Sequence, residues 1–308
     1  MKTAVETKDL VKDFKGFKAV NKLNLNVPEG AIYGFLGPNG AGKTTTLKML
    51  TGMTEPTSGS IEIFGKPVSF GSNLNRNDIG FLPDVPGFYD WMTAKEFLEF
   101  AGSLYNIDSV ILNGRIKTLL SEVGLEKSNK KIGEYSRGMK QRLGIAQALI
   151  NDPKIIFLDE PVSALDPIGR KEVMDIIGKF KGRVTVFFST HILEDVERIC
   201  DRVVIIKDGK ALLEDSIDNI KLINNDRKIE LETDINDSIN LADKLKSIKW
   251  IDKINVDNKH IIISVNELSK ARLEITKYLA ENKILFKKFN VIEPTLEDIF
   301  IKAVNQNA

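Results

Sequence analysis

Read for its apolar and polar positions, the chain opens with two strands, around Val5–Leu10 and Ala19–Val27, ended by the turn Pro28-Glu29-Gly30. The apolar run AIYGFLG (31–37) predicts a short buried strand, then a glycine-rich turn and a helix from about Gly42. GSIEIFGKP (59–67) predicts another short strand. From Trp91 to Gly124 the period becomes helical: Phe97, Phe100, Ala101, Leu104 and Tyr105 recur on one stripe, with Thr93 and Glu96 spaced as a capping box. A further helix starts at Ser136, a good N-cap, with Met139, Leu143, Ala146 and Ile150 along one side. Beyond it KIIFLD (154–159), a helix from Pro167, RVTVFFST (183–190), a helix from Ile192 and RVVIIKDG (202–209) alternate. Apolar strands alternating with helices predict an α/β chain whose parallel sheet is covered on both faces.

The composition changes at Glu214–Arg227, which is charged and Asn-rich, and this predicts a linker at 216–226 between a part spanning 1–215 and a small α+β part at 227–308. The order expected in the small part is β-α-β-β-α-β-α, with helices near 237–247 and 267–281 and a last one from Pro294. A chain of 308 residues, 42% hydrophobic, suffices for one large and one small domain. With 44 basic and 43 acidic residues, no global field points to nucleic acid or an anionic membrane. The single cysteine, Cys200, rules out a disulfide framework and is expected to be packed. No stretch approaches the ~20 apolar residues of a membrane span, and the N-terminal segment has no apolar signal-peptide core. The expectation is a cytoplasmic chain whose membrane work, if any, needs other polypeptides.

Candidate chemistry begins at GFLGPNGAGKTTTL (34–47), which contains Gly37-x-x-x-x-Gly42-Lys43-Thr44 between a predicted strand and a predicted helix. Along the loop Gly37, Pro38, Asn39, Gly40, Ala41 and Gly42, backbone N–H groups (Pro38, which has none, excepted) can curl around phosphate only where β-carbons do not obstruct them. Lys43 can reach the β- and γ-phosphates, the Thr44 hydroxyl is placed to ligate Mg²⁺, and Thr45 extends the hydroxyl row. A second site follows at KIIFLDEP, where Asp159 and Glu160 close an apolar strand. Asp159 suits support of Mg²⁺ and Glu160, aimed elsewhere, can act on water; a strand ending in a plain N-cap would leave the same letters. His191 closes a third strand on the same rim, as a cap or as a catalytic group. The helix opening at Ser136-Arg137-Gly138 carries cations where the helix dipole is already positive, an arrangement that asks for a nearby anion.

GPNGAGKTT, YSRGMKQRL, IIFLDEP with SALDP, and STH stand in an order that resembles the nucleotide-binding subunit of ATP-binding cassette (ABC) transporters, over about residues 4–215. The resemblance implies a P-loop NTPase (RecA-like) core with an antiparallel β subdomain and a helical subdomain at about 85–150. It implies ATP and Mg²⁺ as ligands, and a dimer with itself or a homologous ATPase subunit in which Ser136, Arg137 and Gly138 cap the γ-phosphate held by the other copy. By position, Glu160 orients the attacking water, His191 contacts the γ-phosphate, Asp159 supports Mg²⁺, Asp166 couples the two sites, and Phe14 stacks on adenine unless it is core. Two departures stand out. Tyr135, Arg137 and Met139 interrupt the usual Leu-Ser-Gly-Gly-Gln, and Asp84 replaces a glutamine that usually contacts Mg²⁺ or its water. The tail, ending VIEPTLEDIFIKAV, resembles the extension of bacterial cassette proteins that serve separately encoded export permeases; Leu296, Ile299, Phe300 and Ala303 give its helix one apolar face, for a partner or for packing. The expected protein is an export ATPase, peripheral on the cytoplasmic face of the cell membrane, with transmembrane permease subunits as partners and no nucleic acid. The alternative is a soluble cassette ATPase acting on nucleic acid or the ribosome.

Overall fold

A computed structural model of the chain describes residues 2–71, 77–223, 227–245, 248, 250–292, 296–297 and 299. The chain divides into two compact units, Met1–Ile217 and Asp218–Gln306.

In the first unit β1 (Thr3–Phe14) and β2 (Phe17–Pro28) form an antiparallel hairpin, longer at both ends than the sequence pattern implies. Along β2 the buried Leu23, Leu25 and Val27 alternate with the exposed Lys22, Asn24 and Asn26, so one face packs and the other is wet. Then come β3 (Ile32–Leu36), buried at every residue, α1 (Lys43–Leu50), β4 (Ser58–Ile63) and the two-residue β5 (Lys66–Pro67). The hairpin and the last two strands make a sheet in the order β2-β1-β4-β5.

A strand that the sequence pattern leaves out, β6 (Ile79–Leu82), comes next; four residues are too few to display a period. The helical stretch is two helices, α2 (Ala94–Ser103) and α3 (Ser109–Glu122), not one. The break is at Leu104, and Asp108 caps α3 by accepting from the amides of Val110 and Ile111. The capping box of α2 forms as the spacing predicts, the Thr93 hydroxyl accepting from the Glu96 amide and the Glu96 carboxylate from the Thr93 amide. Phe97 and Ala101 are buried, but Phe100 and Leu104 of the same stripe are 41% and 68% exposed. Phe100 meets the ring of Tyr89 at 5.6 Å instead of entering the core.

Helix α4 (Arg137–Ala148) starts at its Ser136 cap and packs closely on β6. A methyl group added at Gly80 would overlap the Ala148 carbonyl, and one at Gly144 would overlap Leu82. The remainder alternates: β7 (Ile155–Asp159), α5 (Pro167–Gly178), β8 (Thr185–Thr190), α6 (Leu193–Ile199), β9 (Arg202–Lys207), then β10 (Lys210–Ser216) returning as a hairpin partner. These strands form the sheet β10-β9-β3-β8-β7-β6, parallel from β9 through β6, with β3, β7 and β8 buried throughout. Phe35 and Phe157 of this sheet flank Phe187 at 5.1 and 5.6 Å. Together with Leu47 and Leu50 of α1 and Leu10, Leu23 and Ile61 of the other sheet they belong to one apolar core.

Residues 217–223, inside the stretch expected to be a linker, form α7 (Ile217–Ile223), with Ile217 and Ile220 buried. The second unit then runs β11 (Arg227–Thr233), α8 (Ile235–Leu245), β12 (Ile251–Asp257), β13 (His260–Val265), α9 (Leu268–Glu281) and β14 (Phe286–Ile292). Its antiparallel sheet has the order β12-β13-β11-β14, a ferredoxin-like β-α-β-β-α-β unit. Ile229, Leu231, Ile261 and Ile263 pack with Leu241 and Ile275 of the helices into its own core. Most of the last helix expected from Pro294, including Phe300 and Ala303, lies outside the described residues; Leu296 and Ile299 are buried.

Candidate active site

Parallel connectivity collects the strand ends. Leu36 pairs with Thr190, Asp159 with Ser189 and Leu82 with Leu158, so the loops that carry Gly37, Asp84, Glu160 and His191 leave the sheet at one rim. Such a rim is where open α/β sheets bind ligands.

The loop before α1 depends on glycine at Gly42, whose φ of 99° is left-handed and whose missing β-carbon makes room for the Ala19 carbonyl. Lys43, only 6% exposed, folds back over this loop. Its ammonium donates to the carbonyls of Gly37 at 2.8 Å and Pro38 at 3.2 Å, and pairs with Glu160 Oε1 at 3.1 Å. Thr46 spends its hydroxyl on the Gly42 carbonyl, whereas Thr44 and Thr45 line the open cleft.

Ser189 ties the Asp159 carboxylate at the end of β7 to the backbone amide of Glu160 just beyond it. Its hydroxyl donates to Asp159 Oδ1 at 2.6 Å and accepts from the Glu160 amide at 3.1 Å, and it is fully buried. Glu160 sits at φ 47°, a left-handed conformation uncommon outside glycine that departs from the extended path of β7. Its second oxygen, Oε2, accepts from His191 Nδ1 at 3.0 Å. An ionised carboxylate has no hydrogen to give, so this bond places the imidazole hydrogen on Nδ1. Lys43, Glu160 and His191 thereby form one chain of polar contacts.

A cleft of ≈ 500 Å³ gathers Phe14, Asn39, Gly40, Gly42, Lys43, Thr44, Thr45, Asp84, Glu160 and His191. Gly37, Pro38 and Ala41 belong to the loop behind it, and Asp159 lies buried beneath Ser189. Phe17 and Ser163 also line the cleft, and sequence reasoning misses both. Phe17, 66% exposed against 50% for Phe14, is the second aromatic of the hairpin tip, and two aromatics flanking a two-residue turn were the available signal.

Ser136, Arg137, Gly138 and Asp166 lie outside this cleft, around a separate groove of ≈ 260 Å³. Ser136 accepts from the Met139 amide at 3.2 Å and Asp166 from the Gly169 amide at 3.1 Å, each as a helix cap. Ser136 and Arg137 are exposed, and Arg137 has no ion pair among the described residues. Cys200 is buried, and burial pushes its thiol well above the usual range, which leaves it protonated and unreactive.

The donor set of the cleft suits a small hard cation. Thr44 supplies a hydroxyl, Asp159 a carboxylate with one oxygen already oriented by Ser189, and Asp84 a buried Oδ1 with no hydrogen-bond partner. Among the described residues no group of three or more His, Cys, Asp and Glu could hold a metal by itself. Few protein oxygens plus substrate phosphates is the way Mg²⁺ is usually bound.

Comparison with known proteins decides the family. Residues 20–163 match the ABC transporter family model and residues 216–304 the C-terminal domain of DrrA1-3-like ATP-binding proteins. The chain is 40% identical over 307 residues to the bacitracin transport ATP-binding protein BcrA of Bacillus licheniformis, covering 99% of this chain and 98% of that one. It belongs to the ABC transporter ATP-binding subunits. The Nod factor export ATP-binding protein I of Burkholderia lata is 38% identical over 212 residues, 68% of this chain and 70% of its own. Among solved structures, a dimeric ATP-binding cassette in a post-hydrolysis state with ADP and Pi superimposes with a TM-score of 0.63 at 28% identity, covering 69% of this chain and 98% of that one. This ABC subunit is thus a P-loop ATPase that binds and hydrolyses ATP to energise a transporter and works with membrane components. No helix among its described residues is long and apolar enough to cross a membrane. These relatives are transporter components, and nothing in them supports an ATPase of nucleic acid or ribosome.

Proposed function

We propose that two copies of this subunit, or one copy and a homologous ATPase subunit, close around two ATP molecules and drive export through separately encoded permease subunits. The observation that carries the reading is the division of the expected site. The residues for adenine, phosphate and water share one cleft, while Ser136, Arg137 and Gly138 face outward in another groove, free to meet a second molecule.

In this reading Phe14 stacks on adenine and the loop from Gly37 to Gly42 cradles the phosphates. Lys43 exchanges Glu160 for phosphate oxygens. That exchange frees Glu160 to orient the attacking water and take its proton, with His191 beside it on the γ-phosphate side. Thr44, Asp159 and Asp84 would hold Mg²⁺, which when bound neutralises phosphate charge. Ser136, Arg137 and Gly138 contact the γ-phosphate of the partner's ATP, and Asp166 beside them couples the two sites.

The permeases dock on the helical part. Tyr89, Trp91 and Phe100 are exposed there, and an apolar groove of ≈ 710 Å³ runs between Leu104 and Tyr105 of the helical part and Met53, Phe70 and Phe81 outside it. Exposed apolar surface of this kind marks an interaction site. It holds the subunit on the cytoplasmic face of the membrane. Export is supported by the full-length similarity to the bacitracin transport protein, by the similarity to the Nod factor exporter and by the matched C-terminal region.

The test is Glu160→Gln with ATP and Mg²⁺ in sedimentation velocity. A dimer that forms with ATP and not with ADP is expected. A monomer across the whole concentration range would remove the two-copy model.

A further inference from the structure

Strands β11 and β13 of the second unit bury every second residue in a core shared with α8 and α9, so the residues between stand on the opposite face of the sheet. Strand register sorts that face into rows. Lys253 and Lys228 fall in one row, on either side of Ser264. Ile262 and Glu230 are neighbours in the middle row. Asp257 and Glu232 fall in the third, on either side of His260. One end of the face is therefore basic and the other carries two carboxylates.

The middle of the face has its charge answered from within. Glu230 pairs with Lys288 at 2.8 Å and stands 3.8 Å from His260 Nδ1. Lys228, Lys253, Glu232 and Asp257 have no ion pair among the described residues, so both charged ends are unspent. No Phe, Tyr or Trp of the described residues stands on this face, so it is no stacking platform for bases. Ile262, 36% exposed, puts an apolar side chain near its centre. A basic end, an apolar centre and an acidic end make a surface that complements its own copy.

We propose that this face pairs with the same face of a second copy, about a two-fold axis lying between the two sheets and running across the strands. Such an axis sets each strand against its own counterpart in the opposite direction. Lys228 then faces the partner's Glu232, Lys253 faces the partner's Asp257, and the axis repeats both pairs. Ile262 meets the partner's Ile262, and Glu230 the partner's Glu230, each glutamate already answered by its own lysine. An axis along the strands would instead set lysines against lysines. Charge is depleted at the centres of permanent interfaces, so a face of this composition is a weak contact alone. It acts between copies that ATP has already brought together, where the effective concentration is high. Only the timing of the contact rests on the ATP-driven pairing proposed above.

The experiment uses the full chain carrying Glu160→Gln, with ATP and Mg²⁺, in sedimentation velocity over a concentration series. Two charge reversals are made in it: Lys228→Glu with Lys253→Glu, and Glu232→Lys with Asp257→Lys. Either one alone sets like charges together in every pair, and dimer affinity is expected to fall about tenfold. Mixed in equal amounts, the two chains meet with every pair again of opposite sign, and affinity is expected to return, which misfolded chains could not achieve. Unchanged affinity in the single reversals, or none regained in the mixture, would overturn the proposal. A crosslink that traps brief encounters decides the face even if ATP itself drives no dimer. With Cys200 buried, Ile262→Cys under an added oxidant is expected to give a disulfide-linked dimer, and Leu273→Cys, at a residue 72% exposed on α9, is not. Equal crosslinking at the two positions would overturn the pairing; a monomeric parent with crosslinking at 262 alone would remove the ATP-driven closure and keep it.

Discussion

The phosphate cleft and the Ser136–Asp166 groove are built from one chain by opposite means. In the cleft, four parallel strand ends bring loops from distant parts of the sequence together, and the charges are already paired: Lys43 with Glu160, Glu160 with His191. In the groove, two helix N-termini present caps, bare backbone and an arginine with no ion pair among the described residues. The first has its charges paired within a single subunit. The second holds an unspent positive end and needs an anion from elsewhere. On the proposed reading the cleft carries nucleotide binding and the water-orienting carboxylate, and the groove carries the contact with a second copy, so the two can be broken apart.

Glu160→Gln is the largest expected break on the cleft side, lowering turnover by ~10²–10⁴-fold while the subunit still binds nucleotide. Steady-state hydrolysis together with ADP calorimetry checks both halves of that statement. Ser136→Ala attacks the other side. Turnover is expected to fall about tenfold, the scale of one hydrogen bond to a charged group, with the ADP affinity of dilute subunit unchanged. Loss of ADP binding in that variant would erase the distinction between the two regions. Ser189→Ala should act within the cleft through Asp159 and Glu160, at about threefold to tenfold in turnover, with Ser189→Thr restoring most of it. Thr93→Ala is the smallest: it removes the α2 cap, costs about 1 kcal/mol in chemical denaturation, and leaves ADP affinity alone.

Much of the cleft can be read from adjacency along the chain. Glycine spacing marks the loop before α1, and Asp159-Glu160 follow directly on an apolar strand. What adjacency cannot show is pairing across strands. Ser189 reads as part of a strand end before a histidine, and its two hydrogen bonds exist only because β8 lies beside β7 in register. Strand β6 is too short to announce itself, yet it leads to Asp84. Phe100 and Leu104 keep helical spacing and still face outward, because spacing fixes a side of the helix without saying whether the protein or another molecule covers it. The small second unit is legible element by element, since buried residues recur at every second position along β11 and β13.

The pair Gly80 and Gly144 sets a condition on how this chain can vary. One lies in the strand before Asp84, the other in the helix that opens at Ser136, and at each a single methyl group collides with the opposite element. In a library of all single substitutions Gly80, which faces a backbone carbonyl, should tolerate nothing larger, and Gly144, which faces the end of the Leu82 side chain, should be the more forgiving of the two. At Gly80 the strand meets the helix backbone itself, at the Ala148 carbonyl, and at Gly144 the helix takes in the Leu82 side chain, so the closeness of this seam is set by two hydrogen atoms.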